Sequence, residues 1–279
     1  MNIMKPHGLV NSSSLCYFNS IIQAFFSLPK LIDMLLLNES KYISNRVAIE
    51  FIKLIKKNKN TDTSILNGYP VFVEFKKSLD LKYPEKKFGN GQEDSGEFMT
   101  LFLDILDDSD IYTMFTHRYN AIIWCSNCEQ IISKKTEQGI IINISSQFTK
   151  GIDSFNLNNH LKNYTSELSG YICSHCKFQI PHRIYILGRA PDIITVLFNK
   201  FEDKYIVNYP KKIYFDGKDN KQINYKLMSN IEHFGGSNGG HYISHGIREF
   251  NEYSFNDTNV NKELSESTVN TYLLFYHIY

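Results

Sequence analysis

The sequence predicts an α+β fold on three observations. Apolar residues recur at spacings of three and four between positions 15 and 107, and short runs rich in β-branched and aromatic residues follow from about position 111. Two Cys-x-x-Cys pairs fall within the second part. Helices first and strands afterwards indicate helices segregated from a sheet, with no alternation of the βαβ kind.

Within the first part, Ile21, Ile22, Phe25 and Phe26 mark one helix face, which Pro29 is expected to close. Val47, Phe51, Leu54 and Ile55 mark a second helix, and Phe98, Leu101, Phe102 and Ile105 a third. The polar stretch 56–64 reads as a loop, as does 83–91, which carries one proline and two glycines. The lysines at 53, 56, 57 and 59 read as a solvated helix end. In the second part, strands are expected at 121–124, 140–144, 184–187, 193–198, 242–247 and 272–276. No internal repeat, low-complexity segment or interdomain linker breaks the chain, so 1–279 reads as a single domain.

Composition narrows the function. At 279 residues with 42% hydrophobic content, the chain can bury a large core. Thirty basic against twenty-nine acidic side chains leave a net charge of +1, which gives no field to gather nucleic acid or an anionic membrane. No apolar run approaches the ~18 residues of a membrane span, and the first eight residues lack a secretory apolar stretch. Five cysteines, one single and two pairs, suit a metal site plus a free thiol better than a disulfide framework. The expectation is a soluble, intracellular protein that acts as a monomer.

The chemistry is carried by two distant segments. Cys16 lies near the start, in Gly8-Leu9-Val10-Asn11-Ser12-Ser13-Ser14-Leu15-Cys16-Tyr17-Phe18-Asn19-Ser20, and Gly239-Gly240-His241-Tyr242 comes fifteen positions before Asn256. A thiol, an imidazole and a polar residue to orient the ring are the parts of an activated nucleophile. A free cysteine is more often a buried small hydrophobe, but Ser13 or Ser14 can cap a helix starting near Leu15, whose amides would lower the pKa of Cys16. His233 and His245 are the rival bases. Phe255-Asn256-Asp257 offers two orienting residues: Asn256, whose carbonyl would accept from the imidazole Nδ1–H, and Asp257 alongside as an auxiliary. Cys125, Cys128, Cys173 and Cys176 form two knuckles separated by forty-four residues, and four thiolates at this spacing select one closed, structural zinc site.

These segments, together with Gln92-Glu93-Asp94-Ser95-Gly96-Glu97-Phe98, resemble in order and wording the ubiquitin-specific proteases. That family's cysteine box runs Gly-Leu-x-Asn-x-x-x-x-Cys-Tyr-x-Asn-Ser and its histidine box Gly-Gly-His-Tyr, and the likeness extends from Gly8 to Tyr276. The resemblance implies a papain-like scaffold with a helical thumb (about 1–110), zinc-bearing β fingers (about 111–190) and a β-sheet palm (191–279). No appended targeting module is then expected. It implies a deubiquitinase, with ubiquitin or ubiquitinated proteins as partner, no nucleic acid and no membrane. The alternatives are a catalytically weak ubiquitin-binding module or a protease for a ubiquitin-like modifier.

By the same resemblance, Asn11 donates to the oxyanion. Asp94 and Glu97, three apart on one helix face, would hold an arginine of the ubiquitin tail, while Tyr242, Gly239 and Gly240 line a channel for its thin end. The chain departs from the family at Ser12-Ser13-Ser14-Leu15, where the usual wording is Leu-Gly-Asn-Thr. The loss of that glycine is expected to remove freedom where the loop needs positive φ. Phe201, in a variant of another family segment, is expected in the core.

Overall fold

A computed structural model describes residues 4–60, 69–86, 88–144, 152–162, 165–180, 182–199, 204–216, 222–236 and 239–279; Phe201 lies outside them. The helical part comprises α1 (Cys16–Phe26), α2 (Pro29–Leu37), a 3-10 turn (Glu39–Tyr42), α3 (Arg46–Asn60), α4 (Tyr69–Lys82), α5 (Ser95–Leu106) and α6 (Ser109–Phe115). Strands follow, so the α+β expectation holds.

Every residue of α1 is buried. A helix that is apolar all round belongs at the centre of a core, and α1 packs against α5 on one side and the large sheet on the other. Pro29 lies three residues beyond its end and opens α2, taking the first helical position, where no N–H is needed. The two helices meet at 84°, and no single helix among the described residues is long and apolar enough to cross a membrane.

The second helix face is read correctly, with Val47, Phe51, Leu54 and Ile55 all buried, but its end is not. Instead of giving way to a loop at Lys56, α3 runs on to Asn60. The lysines extend its solvent face, Lys53 and Lys56 pairing with Glu50 and Glu39, while the buried Asn58 satisfies its inward position by accepting from the Lys5 amide at 2.9 Å. Residues 61–64 of the expected loop lie outside the described residues.

Aromatic rings join these helices. Phe18 meets Phe98 at 4.8 Å between centroids, Phe51 meets Phe102 at 5.0 Å, and Phe51 meets Phe75 at 5.3 Å. Each such contact adds ~0.5–1.5 kcal/mol to the burial of the rings.

The strands are β1 (His117–Cys125), β2 (Gln130–Gly139), β3 (Ile142–Ile144), β4 (Ser154–Asn156), β5 (Thr165–Glu167), β6 (His182–Arg189) and β7 (Ile193–Phe198). After these come β8 (Ile206–Asn208), β9 (Lys212–Asp216), β10 (Gln222–Gly236), β11 (Gly239–Arg248), β12 (Asn251–Asn256), β13 (Asn259–Lys262) and β14 (Thr271–Ile278). A short helix, α7 (Leu157–Lys162), follows β4. All six expected strand regions are strand in whole or part, 140–144 only from Ile142.

An antiparallel sheet β2-β1-β6-β5 carries the cysteine pairs at one end. The eight-stranded sheet runs β13-β12-β11-β10-β14-β7-β3, with β9 also pairing β10, and only β3 against β7 is parallel. One core lies between the helices and this sheet, and a second is built around Ile194, Val196, Leu274 and Tyr276 with Phe155, Leu157 and Tyr205. Phe102 stands among the rings of Phe25, Phe51, Phe75 and Phe98. Phe102→Ala is therefore expected to lower unfolding free energy by about 3–5 kcal/mol in urea denaturation.

Candidate active site

Cys16 is the first residue of α1 and 4% exposed. The serine caps expected for this helix are not made, since its N-cap residue is Leu15, whose own side chain cannot cap. Asn11 takes over the task. Its Oδ1 accepts from the Leu15 amide at 2.9 Å, and its Nδ2 donates to Asp257 Oδ2 at 2.9 Å. The second oxygen of Asp257 accepts from Asn19 Nδ2 at 2.7 Å, and its carbonyl accepts from the Leu9 amide at 2.9 Å. Asn11 keeps one amide hydrogen uncommitted by these bonds.

The loop ahead of the thiol does contain a left-handed residue, Ser14 with φ of 34°. This is one position beyond the serine that replaces the family's glycine, and Ser13 itself has no positive φ. Gly89 closes over the loop at φ 91°, where a Cβ would come within 2.8 Å of Ser13 Oγ.

His241 is the third residue of β11, in register with Phe234 of β10. Its Nε2 lies 2.7 Å from Asn256 Oδ1 at the end of β12. This corrects the expected geometry, which had Nδ1 facing the carboxamide. With Nε2–H donating to Asn256, Nδ1 is the nitrogen left for proton transfer. The next residue, Tyr242, directs its backbone amide to the Cys16 sulfur, so thiol and histidine box meet across more than two hundred residues of chain.

Burial raises the Cys16 pKa, and the Asp257 carboxylate pushes it the same way. The amides of Tyr242, Tyr17 and Cys16 itself oppose this, but the balance remains upward. The expected lowering by the helix N-terminus is thus outweighed.

The rival histidines are otherwise engaged. The ring of His233 packs 4.5 Å from Tyr242 and 6.0 Å from Tyr272, and burial lowers its pKa. Buried His245 faces Glu232 Oε2 at 3.2 Å.

The expected substrate residues are placed as follows. Asp94 is the N-cap of α5 and not a helical residue, with Oδ1 accepting from the Glu97 amide at 2.9 Å and Oδ2 from the Tyr272 hydroxyl. Both oxygens are therefore committed within the fold. Glu97 is exposed and makes no ion pair among the described residues. Tyr242 is buried beside Tyr272, 5.7 Å between rings.

Gly240 is required by packing, because a Cβ there would enter His233 Nε2 and the Phe234 carbonyl. Gly239 has φ of 155°. One further residue joins the site beyond those the sequence singles out. Gln92 donates Nε2 to the Gly240 carbonyl at 2.6 Å while its Oε1 accepts from the Gly240 amide. Its position opening Gln92-Glu93-Asp94 was the available signal.

The four paired cysteines come together, with all Sγ atoms within 4.8 Å of one another. Cys125 lies 3.5 Å from Cys176 and Cys128 lies 3.8 Å from Cys173, too far for disulfides. Metal–sulfur bonds of about 2.3 Å in a tetrahedron place sulfurs about 3.8 Å apart, so the set fits a bound metal ion. A cavity of about 410 Å³ lies elsewhere, lined by Phe26, Ser27, Met228, Ile247, Arg248 and Phe250 at the ends of α1 and β11 away from Cys16 and His241.

The chain matches the family model described as "Ubiquitin carboxyl-terminal hydrolase" over residues 7–276. It belongs to that family, as the sequence resemblance implies. Among curated relatives, "Ubiquitin carboxyl-terminal hydrolase 36" of Drosophila mojavensis is 23% identical over 320 residues, covering 97% of this chain and 26% of that protein. "Probable ubiquitin carboxyl-terminal hydrolase 16" of Schizosaccharomyces pombe is 25% identical over 283 residues, covering 87% and 60%. The chain thus spans about a quarter of the length of the first relatives it matches. Among solved structures, that of "the SAGA Ubp8/Sgf11/Sus1/Sgf73 DUB module bound to ubiquitin aldehyde" superposes with a TM-score of 0.79 at 18% identity, over 98% of this chain and 69% of that one. The fold is therefore that of a ubiquitin-specific protease.

The raised thiol gives a test. Burial penalises the charged thiolate, so without an imidazolium the proton stays on sulfur to higher pH. In His241→Ala, the pH midpoint for alkylation of Cys16 by iodoacetamide is expected to move above the ordinary thiol value of ~8.5, with wild type below the variant.

Proposed function

We propose that the chain is a cysteine-type deubiquitinase that cleaves the isopeptide or peptide bond after the C-terminal glycine of ubiquitin, with Cys16, His241 and Asn256 as its triad. The observation that carries this reading is the 2.7 Å bond from His241 to Asn256 on a strand whose next amide points at the Cys16 sulfur. The thiol proton passes to Nδ1 of His241, and the sulfur attacks the glycine carbonyl. The free hydrogen of Asn11 and backbone amides hold the oxyanion, and Asp257 keeps Asn11 in place. As the tetrahedral adduct collapses, the imidazolium gives its proton to the departing amine and leaves a thioester on Cys16. Water then loses a proton to Nδ1 and attacks the thioester; the sulfur departs and recovers the proton.

Glu97 supplies an unpaired carboxylate for an arginine of the ubiquitin tail, and Asp94 fixes the helix that presents it. Tyr242, Gly239 and Gly240 form the wall of the channel. The metal is one zinc ion, held by Cys125, Cys128, Cys173 and Cys176. With all four positions filled by protein sulfur, its role is structural. Free thiols without disulfide geometry support a reducing, intracellular setting, with the chain acting as a monomer on ubiquitin conjugates.

Two measurements test the reading. Ubiquitin bearing a C-terminal electrophile is expected to label wild type and not Cys16→Ala, with multiple turnovers on a fluorogenic ubiquitin substrate; equal labelling of both removes Cys16 as nucleophile. Binding of ubiquitin without turnover would instead indicate a binding module, and preference for a probe made from a ubiquitin-like modifier would change the substrate. For the metal, one equivalent of zinc is expected by elemental analysis, and Cys173→Ser is expected to lose it with a lowered melting temperature.

A further inference from the structure

Arg248, the last residue of β11, is 1% exposed and makes no ion pair among the described residues. Its guanidinium instead grips the far end of α1. Nη2 donates to the Gln23 carbonyl at 2.7 Å and to Gln23 Oε1 at 2.9 Å, while Nη1 donates to Ser27 Oγ at 2.5 Å and to the Ile247 carbonyl at 2.9 Å. Nε has no partner. The guanidinium also stands 4.7 Å over the Phe255 ring, next in sequence to Asn256, and 5.9 Å over Phe26. One side chain therefore touches all three elements that bear the proposed triad: α1 and β11 at the ends away from Cys16 and His241, and β12 at Phe255, beside Asn256.

The bonds to α1 are specific. The helix tightens as it ends, with the Ser27 amide turning to the Ala24 carbonyl, and Gln23 contributes one of its last four carbonyls, which lack an ordinary helical partner. Arg248 supplies the shorter bond to it, beside the Ser27 hydroxyl that donates at 3.3 Å, and a cation at a helix C-terminus also complements the helix dipole. Two residues earlier, a Cβ on Gly246 would overlap Ser27 Oγ, so strand and helix approach as closely as glycine allows.

A buried, unpaired guanidinium is poor material for stability alone, since desolvation drives its pKa down to about 9 and an apolar side chain would fill the space without that penalty. What an apolar side chain cannot supply is direction. Apart from the bond of Asn19 to Asp257 at the start of the helix, α1 meets the sheet largely through buried apolar side chains, which resist separation more than sliding, whereas the planar fork of an arginine fixes a register at the far end. We infer that Arg248 is a positioning residue for the reaction: by pinning the end of α1 to the end of β11, it sets the axial offset between the Cys16 sulfur and the His241 imidazole. Displacements of about 1 Å between reacting groups can lower turnover about a hundredfold, so the pin has kinetic weight.

This inference rests on the assignment of Cys16 and His241, and its test keeps the two apart. Arg248→Met retains length and packing but removes all four bonds. Arg248→Lys keeps the charge and a single donor group, and Ser27→Ala removes one acceptor of the arginine together with the Ser27 hydroxyl's own bond to the Gln23 carbonyl. With a fluorogenic ubiquitin substrate, kcat is expected to fall about ten- to hundredfold in Arg248→Met and about three- to tenfold in Ser27→Ala, with Arg248→Lys between them and KM within about twofold throughout. The pH midpoint of Cys16 alkylation is expected to rise toward that of His241→Ala, a readout that loss of stability alone would not move. Rates are referred to the folded fraction at each temperature. A wild-type kcat and alkylation profile in Arg248→Met, or in Ser27→Ala if the first does not fold, would overturn the role of Arg248. Probe labelling that survives Cys16→Ala would instead overturn the nucleophile itself.

Discussion

Helix α1 is clamped at both ends by one β-hairpin, and the geometry of the site depends on that clamp. At its start, the turn after β12 offers the Asp257 carboxylate, which takes hydrogen bonds from Asn11 just before the helix and Asn19 within its first turn. At its end, the last residue of β11 offers the Arg248 guanidinium to Gln23 and Ser27. His241 and Asn256 lie on the same two strands, and their bond closes the hairpin at the active-site end. Hydrogen bonds to charged groups are worth ~1.5–3 kcal/mol each, more than any single ring contact in the surrounding core. The charged groups thus define position, while the aromatic and aliphatic side chains provide the bulk of the cohesion.

The same clamp sets the electrostatics of the thiol. Asp257 is needed to hold Asn11, yet its negative charge disfavours a second negative charge on Cys16. Three backbone amides aimed at the sulfur counter it only in part. In the proposed mechanism His241 supplies the compensating positive charge, and Asn256 orients it without adding a further negative charge. An aspartate at position 256 would stabilise the imidazolium more strongly, but it would add a second carboxylate to a site where the first already opposes the thiolate. A carboxamide orients the ring and leaves that balance unaltered.

Much of this was legible in the sequence because it was local or periodic. The α+β order followed from spacing, and the cysteine pairs from their intervals. The bond between His241 and Asn256 was expected from the wording of their motifs. What escaped was long-range. Nothing near Asn58 announces that it accepts from Lys5, so the sequence pattern ends α3 five residues early. The Nε2 geometry of His241 depends on where β12 lies beside β11, and the capping role of Asn11 on a loop whose serines looked sufficient. The direction of the thiol shift required knowing that Cys16 is 4% exposed, which no flanking residue states. Arg248 carried no signal at all, since an arginine closing a strand reads as a surface residue.

The paired glycines ahead of His241 show how a motif can be explained twice. Their sequence reading was room for a thin substrate tail. Yet the described contacts already forbid a side chain at Gly240, where His233 and the Phe234 carbonyl occupy the space, and Gln92 brackets the same peptide from the other side with a donor and an acceptor. A substitution at this position would shift the strand that carries the base before any substrate arrived. The glycine is therefore a requirement of the fold itself, whatever approaches it. Gly240 lies between Gln92 and His233, and a bulkier residue there would displace the strand that carries His241.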